Sequence, residues 1–311
     1  MLALLGKAVV LGFINEALKG PRWRAKTDLL PRGVPARILT RCSGSATCGV
    51  ELCEPSRDHA IMVREEQRML KIGCCGFPRA RREMFHHFAA VEVQQTFYEP
   101  PRPKTLAGWR MEAPEDFEFT LKAWQPITHP AGSPTYRRLR TPLARPEDAG
   151  FFRPTATVNA AWARTLAAAQ ALGAKVILFQ CPARFVPQEE NIANLRSFFR
   201  SVARDDLVFT WEPRGPWPDQ LVRALCRELE LVHAVDPLQR RPLAGRLVYF
   251  RLHGIGGYHY RYTDGDLERL LALCPRRKPT YCLFNNTTMF DDARRFQRLI
   301  AGTSHRVATV S

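Results

Sequence analysis

Five ionisable residues stand at or near the ends of short runs that alternate between apolar and polar positions. They are Glu92, Lys122, Glu212, Arg251 and His253. Side chains two positions apart share one face of a strand, so each run sends its charged groups to one side. Carboxylates, an amine and an imidazole brought together are the groups that transfer protons and bind anions. The pattern therefore predicts an active site.

Four residues have the chemistry of proton transfer. Glu212 is the candidate general acid or base, with Glu92 as its partner carboxylate. His253 suits a proton shuttle, because histidine titrates near neutral pH. Tyr98 follows the second run and can donate a hydrogen bond to a hydroxyl or carbonyl oxygen, although packing is its alternative role.

A second group has the chemistry of substrate binding. Lys122, Arg214 and Arg251 are candidate anion ligands, since a guanidinium binds phosphate or carboxylate through two parallel hydrogen bonds. The candidates that hold a substrate by hydrogen bonds are Gln94, His129, Gln180 and Asn285. His129 is also a candidate proton shuttle, and its alternative role is to cap a turn.

Two other interpretations of these charges stay open. A buried ion network of Glu92, Lys122, Glu212 and Arg251 can fix the fold, but apolar replacements of such networks are often neutral, so function explains them more readily. A divalent cation such as Mg²⁺, Mn²⁺ or Zn²⁺ can bind an oxygen-rich set with one imidazole. That set is Glu92, Glu212, Asp236 and His253, and it has no compact ligand motif.

Strands and helices alternate along the chain around these residues. We predict strands at 70–74, 91–94, 117–122, 175–180, 207–212, 231–236, 247–253 and 280–285. We predict helices at 82–89, 104–111, 156–172, 189–203, 218–230, 264–273 and 291–300. Eight such units match a TIM-type (β/α)8 barrel, without a regular helix after strand six. A doubly wound open sheet is the alternative, but no Gly-rich phosphate turn follows the first strand.

The connection after the third strand, residues 123–154, is long and rich in Pro and Arg. Loops of this length are usually lids, binding loops or disordered. It combines Trp124 and Tyr136 with several arginines, which suits a phosphorylated substrate or single-stranded nucleic acid. Residues 69–311 carry 35 Lys+Arg against 23 Asp+Glu, and such a surface either attracts anionic partners or is simply solvated.

Residues 1–68 differ in character from the rest. Their stretch 22–41 is rich in Pro and Arg, and Met69 opens directly into the first strand. The spacings of Cys42, Cys48, Cys53 and His59 fit none of the paired zinc patterns. We therefore predict two parts, a poorly structured or non-native extension at 1–68 and a barrel domain at 69–311.

The location of the protein is predicted to be cytoplasmic, with no membrane partner. The apolar run at 8–14 is too short to span a bilayer, and no small-residue cleavage site follows it. Nine cysteines, an odd number in a long chain, do not suggest a secreted disulfide scaffold.

Short motifs between about residues 71 and 299 resemble those of the YecE-like family, the domain of unknown function 72. They include Gly73–Pro78, Val91–Tyr98, Lys122–Trp124, Trp211–Arg214, Arg251–Gly254, Tyr260–Thr263 and Phe284–Asn286. The resemblance implies a TIM-type barrel and little chemistry, because the family's activity is not established. Many members resemble a Gly-Thr-Ser-Gly-Trp motif at the first strand, where this chain has Cys-Cys-Gly-Phe-Pro. A role of those hydroxyls or that tryptophan is therefore not carried over.

Two functions from different classes follow. The first is a hydrolase, lyase or isomerase that acts by carboxylate acid/base chemistry on a small anionic, phosphorylated or sugar-like substrate. It needs no organic cofactor, although a divalent metal, as in a phosphoesterase-like enzyme, is an open alternative. The second is a nucleic-acid-binding protein without catalysis, whose binding weakens steeply with salt.

Overall fold

Eight parallel strands close into a barrel in the computed structural model, which describes residues 69–308. The strands are β1 Leu70–Cys75, β2 Ala90–Val93, β3 Glu118–Lys122, β4 Val176–Gln180, β5 Val208–Glu212, β6 Val232–Val235, β7 Val248–Leu252 and β8 Thr280–Phe284. Each strand pairs with its neighbours in chain order, and β8 pairs with β1 to close the ring. The predicted TIM-type barrel is confirmed. The predictions for residues 1–68, including the Cys42, Cys48, Cys53 and His59 set, lie outside the described residues.

Within residues 69–308, eight helices accompany the strands. They are α1 Arg81–His87, α2 Gln95–Tyr98, α3 Pro103–Glu112, α4 Ala156–Leu172, α5 Glu189–Ser201, α6 Asp219–Glu228, α7 Asp264–Leu273 and α8 Met289–Ala308. Between β6 and β7 the described chain has no helix, as the short spacing predicted. None of these helices combines the length and apolar character needed to cross a membrane.

The second strand ends earlier than the sequence pattern predicted. The alternation continues through Tyr98, yet β2 ends at Val93 and Gln94 takes helical angles (φ −84°, ψ −26°) as the chain enters α2. The cause is Thr96, whose hydroxyl bonds to the carbonyl oxygens of Val93 (2.8 Å) and Lys122 (2.7 Å). A threonine hydroxyl that binds nearby backbone competes with the strand ladder, so the chain turns.

The interior of the barrel is apolar through the middle of its height and has charged residues towards both ends. Buried residues from alternate strand positions fill it: Cys75, Ala90, Val176, Leu178, Val232, Ala234, Tyr249, Tyr281 and Leu283. Glu118, at the N-terminal end of β3, pairs with Lys71 and Tyr281 at the opposite end from the C-terminal charges. It is therefore not part of the candidate site.

The outer face of the sheet is covered by aromatic side chains from strands and helices. Phe179 of β4 contacts Phe199 of α5 with ring centroids 4.9 Å apart, and Trp162 of α4 contacts Phe209 of β5 at 5.5 Å. Burial of such rings removes large apolar areas from water. This stabilises the fold by about 25 cal/mol for each Å² of apolar surface buried. This packing holds β4 and β5 in position, and with them the polar residues at their ends.

The connection between β3 and α4 is ordered by three short 3₁₀ helices, Gln125–Ile127, Pro134–Arg138 and Pro146–Asp148. Its first part is buried, and α4 then begins at a Thr155 cap and ends at Gly173 in the left-handed conformation (φ 60°). Towards its C-terminal end the connection requires glycine at position 150. Gly150 has a left-handed φ of 95°, and a Cβ there would lie 2.4 Å from the backbone nitrogen of Pro130. The loop is therefore a packed part of the barrel mouth.

Candidate active site

The candidate site lies at the C-terminal ends of the strands, where TIM barrels place their active sites. Glu92, Lys122, Gln180, Glu212 and Arg251 are the last or next-to-last residues of β2, β3, β4, β5 and β7. Several of their contacts join strands that are not neighbours in the ring, such as β2 with β7, and such contacts can only be made through the interior. The alternation pattern therefore converges as predicted.

Arg251 is the centre of the cluster and is 1% exposed. Its guanidinium binds Glu92 through two parallel contacts, Nη2 to Oε1 at 2.8 Å and Nε to Oε2 at 3.0 Å, and binds Glu212 Oε2 through Nη1 at 2.6 Å. Burial alone would lower the pKa of Arg251, but Glu92 and Glu212 raise it well above its ordinary value. A permanent cation thus joins two buried carboxylates from opposite sides of the barrel.

Glu212 is the most heavily bonded carboxylate of the site. Beside the Arg251 contact, its Oε1 accepts from Arg214 Nε at 2.5 Å and from Gln180 Nε2 at 2.9 Å. The Gln180 contact follows from register, because Gln180 and Glu212 are paired residues of β4 and β5. Burial alone would raise the pKa of Glu212, but Arg251, His253 and Arg214 together hold it well below its usual range. Glu212 is therefore a carboxylate at neutral pH.

Lys122 is the cation of the site that has no ion-pair partner. Its Nζ donates to the neutral amide oxygen of Gln180 at 2.7 Å and lies 3.5 Å from the centre of the Phe97 ring. No carboxylate in the described part of the chain lies within ion-pair distance of it. Burial first, and then Arg251, lower the pKa of Lys122 from its ordinary 10.5 to about 7. Glu212 and Glu92 oppose this, and Arg214 adds a smaller lowering effect.

His253 faces hydrogen-bond donors on both ring nitrogens. Nε2 lies 2.8 Å from Arg214 Nη2 and 3.2 Å from Arg251 Nη1, and Nδ1 lies 3.0 Å from the Asn285 amide. Burial and the nearby arginines lower the pKa of His253, although Glu212, 3.3 Å from Nε2, opposes them. His253 is neutral at neutral pH, and its own backbone N–H is held by Asp236 Oδ2 at 3.0 Å.

Nine of the eleven residues that the sequence predicted for the site form this one network. They are Glu92, Gln94, Lys122, Gln180, Glu212, Arg214, Arg251, His253 and Asn285. Gln94 joins it by donating to Glu92 from the turn that follows β2. Arg214 is its exposed member, with 42% of its side chain accessible.

Tyr98 and His129 have different surroundings. The Tyr98 ring packs against Arg138, whose guanidinium carbon lies 4.6 Å from its centre. His129 packs on Phe97 and its Nδ1 bonds to the Thr128 hydroxyl at 2.8 Å. Burial, followed by Lys122 and Arg184, lowers the pKa of His129 to about 3, so it stays neutral at neutral pH.

Sequence reasoning missed Tyr249 as a member of the cluster. Its hydroxyl donates to Glu92 Oε2 at 2.8 Å and lies 2.8 Å from the Thr120 hydroxyl across the barrel. The signal was available, because Tyr249 stands two positions before Arg251 and shares its face of the strand. Tyr249 supports the orientation of Glu92 from within the apolar interior.

The four residues of the metal hypothesis do not surround a common point. The Arg251 guanidinium stands between Glu92 and Glu212. Asp236 instead accepts from the backbone N–H groups of His253 and Leu238. Residues 69–308 contain no group of three or more acidic, histidine or cysteine side chains placed to hold a metal ion. Glu92 and Glu212 have arginine as their counterion.

A comparison with known families finds that residues 79–310 match the family described as Protein of unknown function DUF72. The chain belongs to this family. The resemblance seen in the sequence motifs is thereby confirmed.

Individual relatives extend the match across the barrel. The UPF0759 protein YunF of Bacillus subtilis is 24% identical over 67% of this chain and 80% of its own length. The crystal structure of a DUF72 family protein from Enterococcus faecalis has a TM-score of 0.56 at 20% identity, covering 75% of this chain and 98% of that one. A DUF72 family protein from Thermotoga maritima gives 0.54 at 18% identity, with 75% and 99% covered. At these identities the likeness shows the shared fold.

Proposed function

We propose that this protein is an enzyme that transfers protons on a small anionic, phosphorylated or sugar-like substrate at the C-terminal mouth of the barrel. The observation that supports this best is Lys122, a lysine that is 7% exposed and whose pKa is lowered to about 7. A group with a pKa near the working pH is present in both protonation states, which is what general acid/base catalysis needs. A purely structural ion network has no use for such a group.

The other residues then take fixed roles. Glu92, Arg251 and Glu212 form an ion-paired frame, and Glu212 in this frame holds Gln180. Gln180 in turn positions the Lys122 amine at 2.7 Å. The proton-transfer role expected of Glu212 from the sequence therefore passes to Lys122, because Glu212 already accepts three hydrogen bonds from Arg251, Arg214 and Gln180.

The substrate's anionic group is assigned to Arg214. Its Nε and Nη2 are bound to Glu212 and His253, while its Nη1 has no hydrogen-bond partner within the described chain. Nη1 thus offers donors to a phosphate or carboxylate in solvent. A transferable proton near an anion site suits an isomerase, a lyase or a hydrolase, since the neutral amine of Lys122 is a base in each case.

Nucleic-acid binding has weaker support. The aromatic residues that would stack on bases are used within the protein: Trp124 is 4% exposed with Arg164 over its face at 4.3 Å, and Tyr98 is covered by Arg138. Tyr136 donates its hydroxyl to the carbonyl oxygen of His129. The proposal includes no organic cofactor, and a divalent metal is tested alongside the substrates.

The experiment is a thermal-shift screen of sugar phosphates, sugar acids and neutral sugars, each with and without Mg²⁺, Mn²⁺ or Zn²⁺. A ligand at a hundredfold excess over its Kd should stabilise the wild type by about 2.7 kcal/mol. Arg214→Met should lose this shift. Arg200→Met removes an exposed arginine on α5 that pairs with Glu228, and it serves as the matched control.

Equal shifts in the wild type and Arg214→Met would contradict the assignment of the anion site. If no anionic compound stabilises the wild type, the proposed function itself fails. A shift that appears only with a metal would instead support the phosphoesterase-like alternative.

A further inference from the structure

The surroundings of Lys122 are those of an amine kept available for reaction. Its hydrogen-bond acceptor is a neutral amide oxygen, and a phenyl ring at 3.5 Å covers another side of it. Two arginines lie in the same cluster, and a neighbouring cation or a desolvated pocket is what makes a lysine amine nucleophilic at neutral pH. By contrast, Lys71 at the opposite end of the barrel is paired with Glu118.

We propose that Lys122 forms an imine with the carbonyl carbon of a small anionic aldehyde or ketone. This names the substrate class of the proposed enzyme and rests on that proposed function. The anionic group of the substrate would lie on Arg214, which is connected to Lys122 through Glu212 and Gln180 by hydrogen bonds of 2.5, 2.9 and 2.7 Å. The substrate is therefore a single small molecule that carries both a carbonyl and a carboxylate or phosphate.

The step balances without an external oxidant or reductant. The neutral amine nitrogen attacks the carbonyl carbon, a C–N bond forms, and the carbonyl π pair moves to oxygen. That oxygen takes up one proton from the attacking nitrogen and one from solvent and leaves as water, so that a neutral amine, a carbonyl and one proton give an iminium and water. The iminium then accepts electrons from a bond that breaks at the adjacent carbon, which serves both an isomerase and a lyase.

The proton balance at neutral pH agrees with the geometry. A pKa of about 7 leaves about half of the Lys122 amine neutral at pH 7. An ordinary lysine, with a pKa of about 10.4, is neutral to roughly one part in two thousand at that pH. Lys104 and Lys175 are exposed lysines and serve as the internal comparison for Lys122.

The test is reductive trapping on the full chain. The protein is incubated at pH 7 with pyruvate, glyoxylate, dihydroxyacetone phosphate or pyridoxal phosphate, and then treated with cyanoborohydride, which reduces an iminium to a stable secondary amine. Peptide mass spectrometry locates the adduct. Labelling of Lys122 should exceed that of Lys104 by on the order of a thousandfold, because of its larger neutral fraction.

Matched variants make the result decisive. Lys122→Arg keeps the positive charge but cannot form the imine, and it should lose the preferred label, whereas Lys71→Arg should keep it. Labelling spread evenly over exposed lysines, or no adduct on Lys122 with any of the four compounds, overturns the imine. In that case an anionic ligand that still stabilises the wild type and not Arg214→Met leaves the proposed enzyme in place, with Lys122 as an acid/base group.

Discussion

At the scale of single residues, Arg251 is the side chain whose removal the interior tolerates least. Arg251→Met leaves Glu92, which is 0% exposed, and Glu212 without their main counterion. Breaking a buried ion pair from one side is strongly destabilising, by about 3–5 kcal/mol. Urea unfolding of the variant should show a loss of this size.

A surface pair is the control for this prediction. Arg196→Met breaks an exposed contact with Glu228 and should cost less than about 1 kcal/mol. If Arg251→Met fails to fold, adding Glu92→Gln and Glu212→Gln should restore folding, because the unpaired charges are then gone. A single variant as stable as Arg196→Met would contradict the central role of Arg251.

Lys122 makes stability depend on pH in a defined direction. Its folded pKa is about 7, whereas the ordinary value of 10.5 applies when the chain is unfolded. Between these values the unfolded state binds more protons, so the unfolding free energy of the wild type rises with pH. Lys122→Met lacks this slope. The difference in unfolding free energy, variant minus wild type, should therefore fall from pH 7 to pH 10.

Urea titrations of both proteins at pH 6, 7, 8.5 and 10 measure this difference, and groups other than Lys122 cancel in it. Below pH 7 the difference should be flat, because both states of the wild type are then protonated. A difference that does not change over the whole range would mean that Lys122 keeps an ordinary pKa.

The sequence predicted the residues of the site where the alternation of a strand places their side chains on its inward face. Gln180, Glu212 and Arg251 follow from register and period, and the structure brings them together. Tyr98 does not follow, since the chain leaves the strand at Val93 and carries Tyr98 to the end of α2. The lowered pKa of Lys122 was not predictable either, because it depends first on the burial of its amine and then on the nearby cation of Arg251.

At the scale of secondary structure, Gly73 in β1 is required for the pairing of β1 with β2. A Cβ at this position would lie 1.9 Å from the carbonyl oxygen of Ala90, the residue it pairs with. Gly73→Ala should push the two strands apart and destabilise the barrel by several kcal/mol. Overpacking of a core typically costs about 1–3 kcal/mol, and a clash with backbone is at the upper end of that range. The glycine at the start of the family's first motif thus has a structural reason.

The matched substitution is Gly108→Ala on α3, where a Cβ meets nothing within 4 Å. Alanine in a helix interior is favoured over glycine by about 1 kcal/mol, so this variant should be slightly more stable than the wild type. Thermal unfolding of both variants measures the contrast. Similar melting temperatures for Gly73→Ala and Gly108→Ala would contradict the close approach of β1 and β2.

The order and type of the elements were predictable because each strand and helix has a clear period. The bounds of α4 and α7 are those predicted, and the strands differ by one or two residues at their ends. The short helix α2 was missed, since its sequence continues the strand pattern and only the hydroxyl contacts of Thr96 turn it. The hydrogen bond from Thr96 to the carbonyl oxygen of Lys122 joins residues 26 positions apart, so a local sequence pattern does not reveal it.

At the scale of the whole molecule, the positive charge of residues 69–311 predicts weak, salt-sensitive attraction to any polyanion. A single-stranded oligonucleotide should bind with an affinity that falls steeply between 50 and 200 mM salt, as counterion release requires. Arg214→Met and Arg200→Met should reduce this binding equally, because both are exposed charges. Fluorescence anisotropy measures it. A selective loss in Arg214→Met would favour a nucleic-acid site at the mouth.

The bridge that Arg251 makes between β2 and β7 has an evolutionary consequence. The side chains that form the candidate site also connect separate strands of the barrel, so a mutation that changes the site also disturbs the barrel. Drift at Glu92 should then be followed by compensating change at Arg251, and the pair should diverge together across distant relatives. New specificities are more accessible through Arg214, which reaches solvent and can vary without loosening the ring.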